Sequence, residues 1–590
     1  MRIINKLFDK LFGLAGAVIR YPFTTAFLIM ATVLSINAIY RENQNDKQLL
    51  TCAVGAILCA VIQMMYERFF NKNMARILLY LAGLLITAVY YLLLLSAPDL
   101  SIEITVRTTA ALLALLFAYL LIPVFRSRYL FHQSFFIFLK SFFITLLYAG
   151  VLFGGVSLIL TAVDQLILPI PMKSYGYSAS LIFILFAPIY LFSQIPVYPG
   201  SSNMDIEEKQ GREEQIFKAA NCSRFIEILI SYIVIPLAEL FTLILILYIL
   251  KNIRGEFWTN NLMEPMLVSY AIAIIIIFIL SSILNNRMVL LFQKIVPKIL
   301  IPIVLFQMSA TVLRMMDIGV KHTGYYILLF GVFAVCSGVI MSFLGKNKND
   351  LIAILLILFS LLSIIPPVDA FTISKWSQKN TLESVLTDSG MLSDGKLEIS
   401  GTFTDEQKRI ISSTVGYLDR MQYTKEIPYL PEDFKLYEDF YDTFGFYEYE
   451  IASNQNKSVV VFIDREQAIM VEDYEYMAHS YLNSEDTSQP VICNFKKNGE
   501  EYVLKKRKVG GQFEFVLQDQ GKNEFILFYS NEIFDRYEQY AVENKELTEE
   551  EASFYAESDE IKMKIIVQEA SMYFSNNRMS YFSDFYVLIK

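Results

Sequence analysis

The chain has 590 residues, 55% of them apolar and 18% charged, with a formal net charge of −9. That length exceeds one ordinary domain, and the balance of apolar to charged residues lies toward membrane proteins. The charge is unevenly spread, with 27 basic and 19 acidic residues up to Phe371 and 23 and 40 beyond it. An acidic second part argues against nucleic acid as a partner, since phosphate recognition needs a basic face.

Before the first long apolar stretch, Ile4, Leu7, Phe8, Leu11, Phe12 and Ala15 recur at helical spacing opposite Arg2, Lys6 and Lys10. The spacing predicts an amphipathic helix over residues 1–20 lying in the membrane interface, followed by an uncleaved first span.

A spanning helix needs about 20 largely apolar residues to cross about 30 Å of hydrocarbon. Eleven stretches meet or approach that length: Tyr21 to Tyr40, Leu49 to Tyr66, Ile77 to Ser96, Thr108 to Val124, Ser141 to Val163, Ser180 to Val197, Phe225 to Leu250, Pro265 to Leu284, Ile299 to Leu313, Gly324 to Leu344 and Leu351 to Val368. Lys and Arg accumulate on the cytoplasmic side of spans. With the N-terminus inside, 19 basic residues fall on the cytoplasmic side and 8 on the other. The expectation is a multi-pass protein of the bacterial inner membrane, with about 11 transmembrane helices over residues 21–370 and an extracytoplasmic C-terminal domain. The segment Ile299 to Leu313 is the shortest of the eleven. If it were re-entrant, the parity would reverse and the C-terminal domain would be cytoplasmic.

From Phe371 the pattern becomes that of a soluble domain, 371–590, with helices within 376–446 and a β-rich part over 447–590. Thr404 and Gln407 form the ends of a capping box, with Ile410, Ile411, Val415 and Leu418 supplying the apolar face behind it. Strand character is read at Ser458 to Ile463, Val491 to Phe495, Tyr502 to Lys506, Phe513 to Leu517, Phe525 to Tyr529, Ile561 to Val567 and Tyr581 to Ile589. Asn498 and Gly499 suit a tight hairpin because both tolerate positive φ. The expected fold is α+β, mainly an antiparallel, sandwich-like sheet. Cys493 is the only cysteine in this part, so no disulfide can form within it.

The run from Asn286 to Tyr326, with Arg314, Asp317, Gly319 and Tyr326 as its sharpest positions, and the run AFTISKWSQKNTLESVL from Ala370 to Leu386 resemble a bacterial membrane family, domain of unknown function 4153. YPFTTAF (Tyr21 to Phe27), PVFRSRYL (Pro123 to Leu130) and YLFSQIPV (Tyr190 to Val197) are similar to that family too. The resemblance implies a multi-pass bacterial membrane protein with a C-terminal extramembrane region, and implies no reaction.

Charges inside spans are costly and mark candidate sites. Glu239 lies three residues after Pro236 in the middle of the seventh span, where it serves either proton or cation coupling or a hydrogen bond between helices. Arg314 and Asp317, three apart at the end of the ninth span, are placed to pair with each other or to hold an anionic group. Asp164 marks the end of the fifth span, as a helix end or a pathway mouth. Gly150 and Gly154 have the spacing for close helix packing. Tyr437, Tyr441, Tyr447 and Tyr449 are either core residues or stacking surfaces for glycans.

No phosphate-binding loop, dinucleotide fingerprint, HExxH or GxSxG motif occurs, and there are three histidines, His132, His322 and His479. These absences argue against a histidine-based triad or metal site and call for no cofactor and no metal, while Asp or Glu chemistry stays open, so the sequence leans away from an enzyme without deciding the question. Its partners are the lipid bilayer and an unknown envelope ligand or protein for the C-terminal domain. Three functions fit: transporter-like solute handling with Glu239 near the pathway, an envelope sensor or assembly module, and a membrane-embedded transferase on lipid-linked substrates.

Overall fold

A computed structural model describes residues 13–97, 100–199, 206–252, 264–393, 396–397, 403–431, 434–446, 458–464, 468–469, 471, 473–484, 491–509, 512–521, 523–538, 545–558, 560–575 and 578–590. The chain divides into two compact units, 1–387 with 413–428 and 388–412 with 429–590. Most of the interfacial helix expected over residues 1–20 lies outside the described residues, although 13–20 are helical.

The first unit is helical. Among the described residues nine helices are long and apolar enough to cross a membrane: α1 (Pro22–Arg41), α2 (Asp46–Phe69), α3 (Asn73–Ser96), α4 (Ile102–Val124), α5 (Phe131–Leu166), α6 (Lys173–Ser193), α8 (Arg224–Lys251), α10 (Arg287–Ile318) and α11 (His322–Leu344). Two shorter apolar helices, α9 (Glu264–Ser281) and α12 (Asn349–Leu362), fall on the remaining two predicted stretches. Between α6 and α8 runs a polar helix, α7 (Ile206–Ala220). Helix α13 (Ala370–Asp388) follows α12 and belongs to the same unit up to Thr387.

Helix α2 is the most enclosed, because small side chains line it. Thr51, Cys52, Gly55, Ala56, Cys59 and Ala60 are all buried or nearly so, which lets neighbouring backbones come close where water supplies no driving force. By contrast, a Cβ added at Gly150 or Gly154 would meet nothing within 4 Å. Among the described residues, therefore, no helix packs against the small-residue stripe on α5, contrary to the expectation from its spacing. The segment 299–313 lies inside the uninterrupted 32-residue α10, about 48 Å long at the α-helical rise, and shows no re-entrant turn. Pro297 and Pro302 are both accommodated within it. Gly324, Gly331 and Gly338 of α11 line its approach to α10: a Cβ at each would stand 2.6 Å from Met315, 2.6 Å from Met308 and 2.8 Å from Ile301. The π-helical stretches Ser180–Phe186, Leu229–Val234 and Ile340–Leu344 each occupy one turn of α6, α8 and α11.

In the second unit, α14 (Asp405–Arg420) begins with the predicted capping box. Gln407 N–H donates to Thr404 Oγ1 at 3.3 Å and Thr404 N–H to Gln407 Oε1 at 3.0 Å. The second half of α14, from Ser413, is assigned to the first unit. After α15 (Leu436–Phe444) the chain is β-rich. A short antiparallel pair, β1 (Leu392–Ser393) and β2 (Lys396–Leu397), precedes α14. The main strands are β3 (Ser458–Phe462), β4 (Tyr476–Asn483), β5 (Val491–Lys497), β6 (Glu500–Val509), β7 (Gln512–Asp519), β8 (Glu524–Tyr529), β9 (Lys545–Glu546), β10 (Ser553–Glu557), β11 (Lys562–Ser575) and β12 (Arg578–Ile589).

They form a six-stranded sheet in the order β4-β12-β11-β3-β9 with β10 also paired to β11, and a four-stranded meander β5-β6-β7-β8. All pairings are antiparallel except β3 with β9. The β5–β6 hairpin turns at Asn498 and Gly499, with φ of 53° and 89°, as the two positive-φ positions of a tight turn require. Phe513, Phe515 and Leu517 of the meander share one core with Ile565, Val567, Phe585 and Val587 of the larger sheet. Strand β4 is absent from the sequence reading because its apolar residues fall on both faces: Tyr476 and Leu482 on one, Met477 and Tyr481 on the other.

Candidate functional site

The helices of the first unit run between two ends, and each end carries an arginine paired with a carboxylate brought from a distant part of the chain. At one end Arg20 makes a two-pronged pair with Glu67 of α2, at 2.9 and 2.7 Å, and donates to the Ile195 carbonyl at 2.7 Å. Gln63 donates to Glu67 at 2.7 Å and accepts from Tyr80 at 2.8 Å, while the Tyr21 and Tyr119 hydroxyls lie 3.1 Å apart. Arg68 donates to the carbonyls of Phe125 and Pro199. The three segments Tyr21 to Phe27, Pro123 to Leu130 and Tyr190 to Val197 thus meet here. Both charges are nearly out of solvent, with 12% and 16% of their side chains exposed. Such a pair is stable only because the guanidinium fork matches the carboxylate and the remaining hydrogens find carbonyls. Arg20, Glu67, Gln63, Tyr80, Tyr21 and Tyr119 each have a hydrogen-bond partner, which makes this end a structural clamp.

At the opposite end, Arg107 of α4 bridges Glu103, one turn earlier, at 2.8 Å and Asp369, at the start of α13, at 2.7 Å. Its guanidinium also lies 5.6 Å from the centre of the Phe371 ring. Asp369 is fully buried and caps α13: Oδ1 accepts from the Phe371 and Thr372 backbone N–H groups, and Oδ2 from the Thr372 hydroxyl at 2.6 Å. Burial opposes its ionisation, but the hydrogen bonds from Thr372 and Arg107 outweigh burial and hold the carboxyl below the ordinary range. Tyr423 donates to Glu103 at 2.9 Å, and burial together with that carboxylate pushes its phenol well up.

The loop from Gly319 to His322 docks on α13 beside this latch. Gln378 Nε2 donates to the Ile318 carbonyl at 2.9 Å, and Ser377 Oγ accepts from Val320 N–H. Gly319 has φ of +74°, and a Cβ there would stand 2.6 Å from Thr381 Oγ1, so the position needs glycine twice over. His322 Nδ1 and the Tyr417 hydroxyl are 3.0 Å apart, and Tyr417 donates to Ser374. The two runs that carry the sharpest sequence resemblance, around Gly319 to Tyr326 and from Ala370 to Leu386, are therefore partners.

Beneath the latch a cavity of about 330 Å³ runs between α4, α11 and α12. Val106, Ala110 and Leu113 line it from α4, Tyr326 and Phe330 from α11, and Ser363 from the end of α12. Its polar groups gather at the Arg107 end, where the Tyr326 hydroxyl reaches the Ser363 carbonyl at 3.4 Å. Leu113, farther along, is 40% exposed, so the cavity opens sideways between helices.

The four residues singled out from sequence are not brought together. Glu239 is half-buried on α8, after a π-helical turn and Pro236, and has no hydrogen bond or ion pair among the described residues. Arg314 is half-buried and Asp317 exposed at the end of α10, and Asp317 has no ion pair among the described residues. Asp164 is exposed and accepts from the Ile170 backbone at 2.6 Å, which ties down the turn after α5. Of the four tyrosines considered as stacking groups, Tyr441 is 47% exposed, while Tyr447, Tyr449 and the Tyr437 side chain lie outside what is described. None of Arg107, Glu103, Glu67 and Asp369 was singled out as a site residue from the sequence. The available signal was the four-residue spacing of Glu103 and Arg107.

A family model described as "Domain of unknown function (DUF4153)" matches residues 28–397, more than half of the chain. The chain belongs to this family. No curated protein and no solved structure matches it. The matched region takes in Glu67, Glu103, Arg107, Asp369 and all three helices around the cavity, and it ends before the β-rich part.

Proposed function

We propose that this membrane protein handles an amphiphile, which enters the cavity from the side with its chain between α4 and α11 and its head at the Glu103–Arg107–Asp369 latch. The observation that carries this reading is the cavity itself: about 330 Å³, apolar along its length, and polar at one end. A concave, mostly apolar site with a few converging polar groups is the usual form of a small-molecule site. Arg107 is already engaged by two carboxylates, and Glu103 and Asp369 by Tyr423 and Thr372. An uncharged or zwitterionic head matches such a mouth better than a bare anion. The solute handling inferred from the sequence is thereby narrowed to lipids.

Eleven crossings, with the Arg20 end in the bacterial cytoplasm and the latch on the envelope side, suit the 19-to-8 distribution of basic residues. The test is lipid mass spectrometry on the purified protein and on Ala110→Trp, whose side chain fills the cavity. The wild type should retain a bound lipid and the variant should lose it. Equal lipid content in two folded proteins would sink the reading. If handling includes proton coupling, Glu239 is the group to titrate, and Glu239→Gln should abolish the pH dependence of lipid movement in vesicles.

A further inference from the structure

In the second unit, one face of the larger sheet carries a strip of side chains that leaves aromatic surface exposed. Along β4, Met477, His479 and Tyr481 point to this face. On the paired strand β12, Leu588, Tyr586 and Asp584 stand directly opposite them, Leu588 fully buried and Tyr586 and Asp584 partly exposed, and Phe582 follows. Met477 and Tyr481 are each 52% exposed and Phe582 36%. The Tyr481 and Phe582 rings lie within 24° of parallel with centroids 6.5 Å apart. His479 Nε2 stands 2.6 Å from Asp584 Oδ1, and its ring centre is 5.1 Å from that of Tyr586. Rings thus flank a polar pair.

The edge of β4 is not available for an added strand. Lys506 Nζ donates to the Tyr481 carbonyl at 2.6 Å, Lys508 Nζ to the Ser484 carbonyl at 2.8 Å, and the Tyr476 hydroxyl to the Lys496 carbonyl. Lysines that cover an edge in this way block strand-on-strand pairing. Lys506 also sits 4.8 Å from the Tyr481 ring centre and braces that ring from one side. The free surface is the face. From Met477 to Tyr481 it is about 14 Å long, and its two strands are about 5 Å apart. A footprint on the order of 100–200 Å² is far below the roughly 800 Å² per partner of a stable protein interface. The strip needs a narrow, flat ligand with apolar faces and polar edges.

We propose that this strip binds a glycan, specifically a β-1,4-linked pyranose chain. Equatorial linkages and substituents make such a chain a flat ribbon whose two faces are C–H groups and whose edges are hydroxyls. The C–H faces lie on the aromatic rings, and the hydroxyl edges exchange hydrogen bonds with His479 and Asp584. The site is separate from the cavity in the helical unit, and its test does not depend on that reading.

The experiment is saturation-transfer NMR and calorimetry on the full chain in detergent micelles, with cellotetraose and the β-1,4-linked tetramer of N-acetylglucosamine as probes. At least one probe should bind, and Tyr481→Ala and Phe582→Ala should each weaken it by about tenfold or more, as loss of one ring contact implies. Tyr481→Phe, which keeps the ring, should bind as the wild type does and guards against a folding artefact. Tyr441→Ala, an exposed ring on α15, should change nothing. The proposal is overturned if neither probe binds, if Tyr481→Ala binds normally, or if Tyr481→Ala instead abolishes self-association, which would make a second copy the occupant.

Discussion

The two arginine clamps of the helical unit look alike in outline and differ in surroundings. Arg20 and Glu67 are both almost fully buried, and their neighbours are carbonyls and side chains that complete every hydrogen bond. Arg107 keeps 31% of its side chain exposed while Asp369 keeps none, and an open cavity begins next to Tyr326 and Ser363 on the same side. A closed pair holds helices in place. A pair that is closed on one partner and open on the other leaves room beside it, and that room is where we propose the ligand's head sits.

The largest effect is expected at the closed clamp. Glu67→Ala strands a buried guanidinium and should cost about 3–5 kcal/mol, seen as a large fall in Tm, whereas Arg20→Met combined with Glu67→Leu should cost less than Glu67→Ala. If the single variant is tolerated, the Arg20 end is not a clamp. At the open latch, Asp369→Ala removes the Arg107 contact and the cap of α13 together, for about 2–3 kcal/mol in urea titration.

Acid should act on the latch through Asp369. The folded carboxyl of Asp369 lies below its unfolded value of about 3.9. Its contribution is complete above about pH 4 and is lost as the pH falls through the lower folded value. Asp369→Asn should therefore be less stable than wild type at neutral pH and lose less stability below about pH 4, measured as Tm against pH. Parallel acid limbs for the two proteins would contradict this assignment.

Gly319→Ala forces a side chain into positive φ against Thr381 and should cost about 1–3 kcal/mol, with lipid retention falling if the loop helps shape the cavity. Smallest of all, Gly154→Ala on the open face of α5 should shift stability by less than about 0.5 kcal/mol. A larger change in Tm there would reveal a partner on that face.

Length and hydropathy alone located the apolar helices of the first unit but not the polar α7, because about 20 consecutive apolar residues have no good alternative to a helix in or near lipid. Thr404 with Gln407 and Asn498 with Gly499 marked a helix start and a hairpin, since capping and positive φ depend on residues a few positions apart. Strand β4 escaped because alternation reports burial of one face only, and its two faces are both partly apolar. The lone charges Glu239, Arg314, Asp317 and Asp164 drew notice in one dimension, yet no hydrogen bond or ion pair links any two of them among the described residues.

What the amino-acid order determined by itself was therefore local: which stretches are apolar, where helices cap and hairpins turn, and how charge divides between the two parts. Tertiary structure alone decided that Arg20 meets Glu67 and Arg107 meets Asp369, 262 positions away. It also decided that α4, α11 and α12 leave a cavity between them. The physical reason is range. Burial, capping and turn geometry act over a few residues, whereas a pairing of charges or a gap between helices depends on how distant segments are brought side by side.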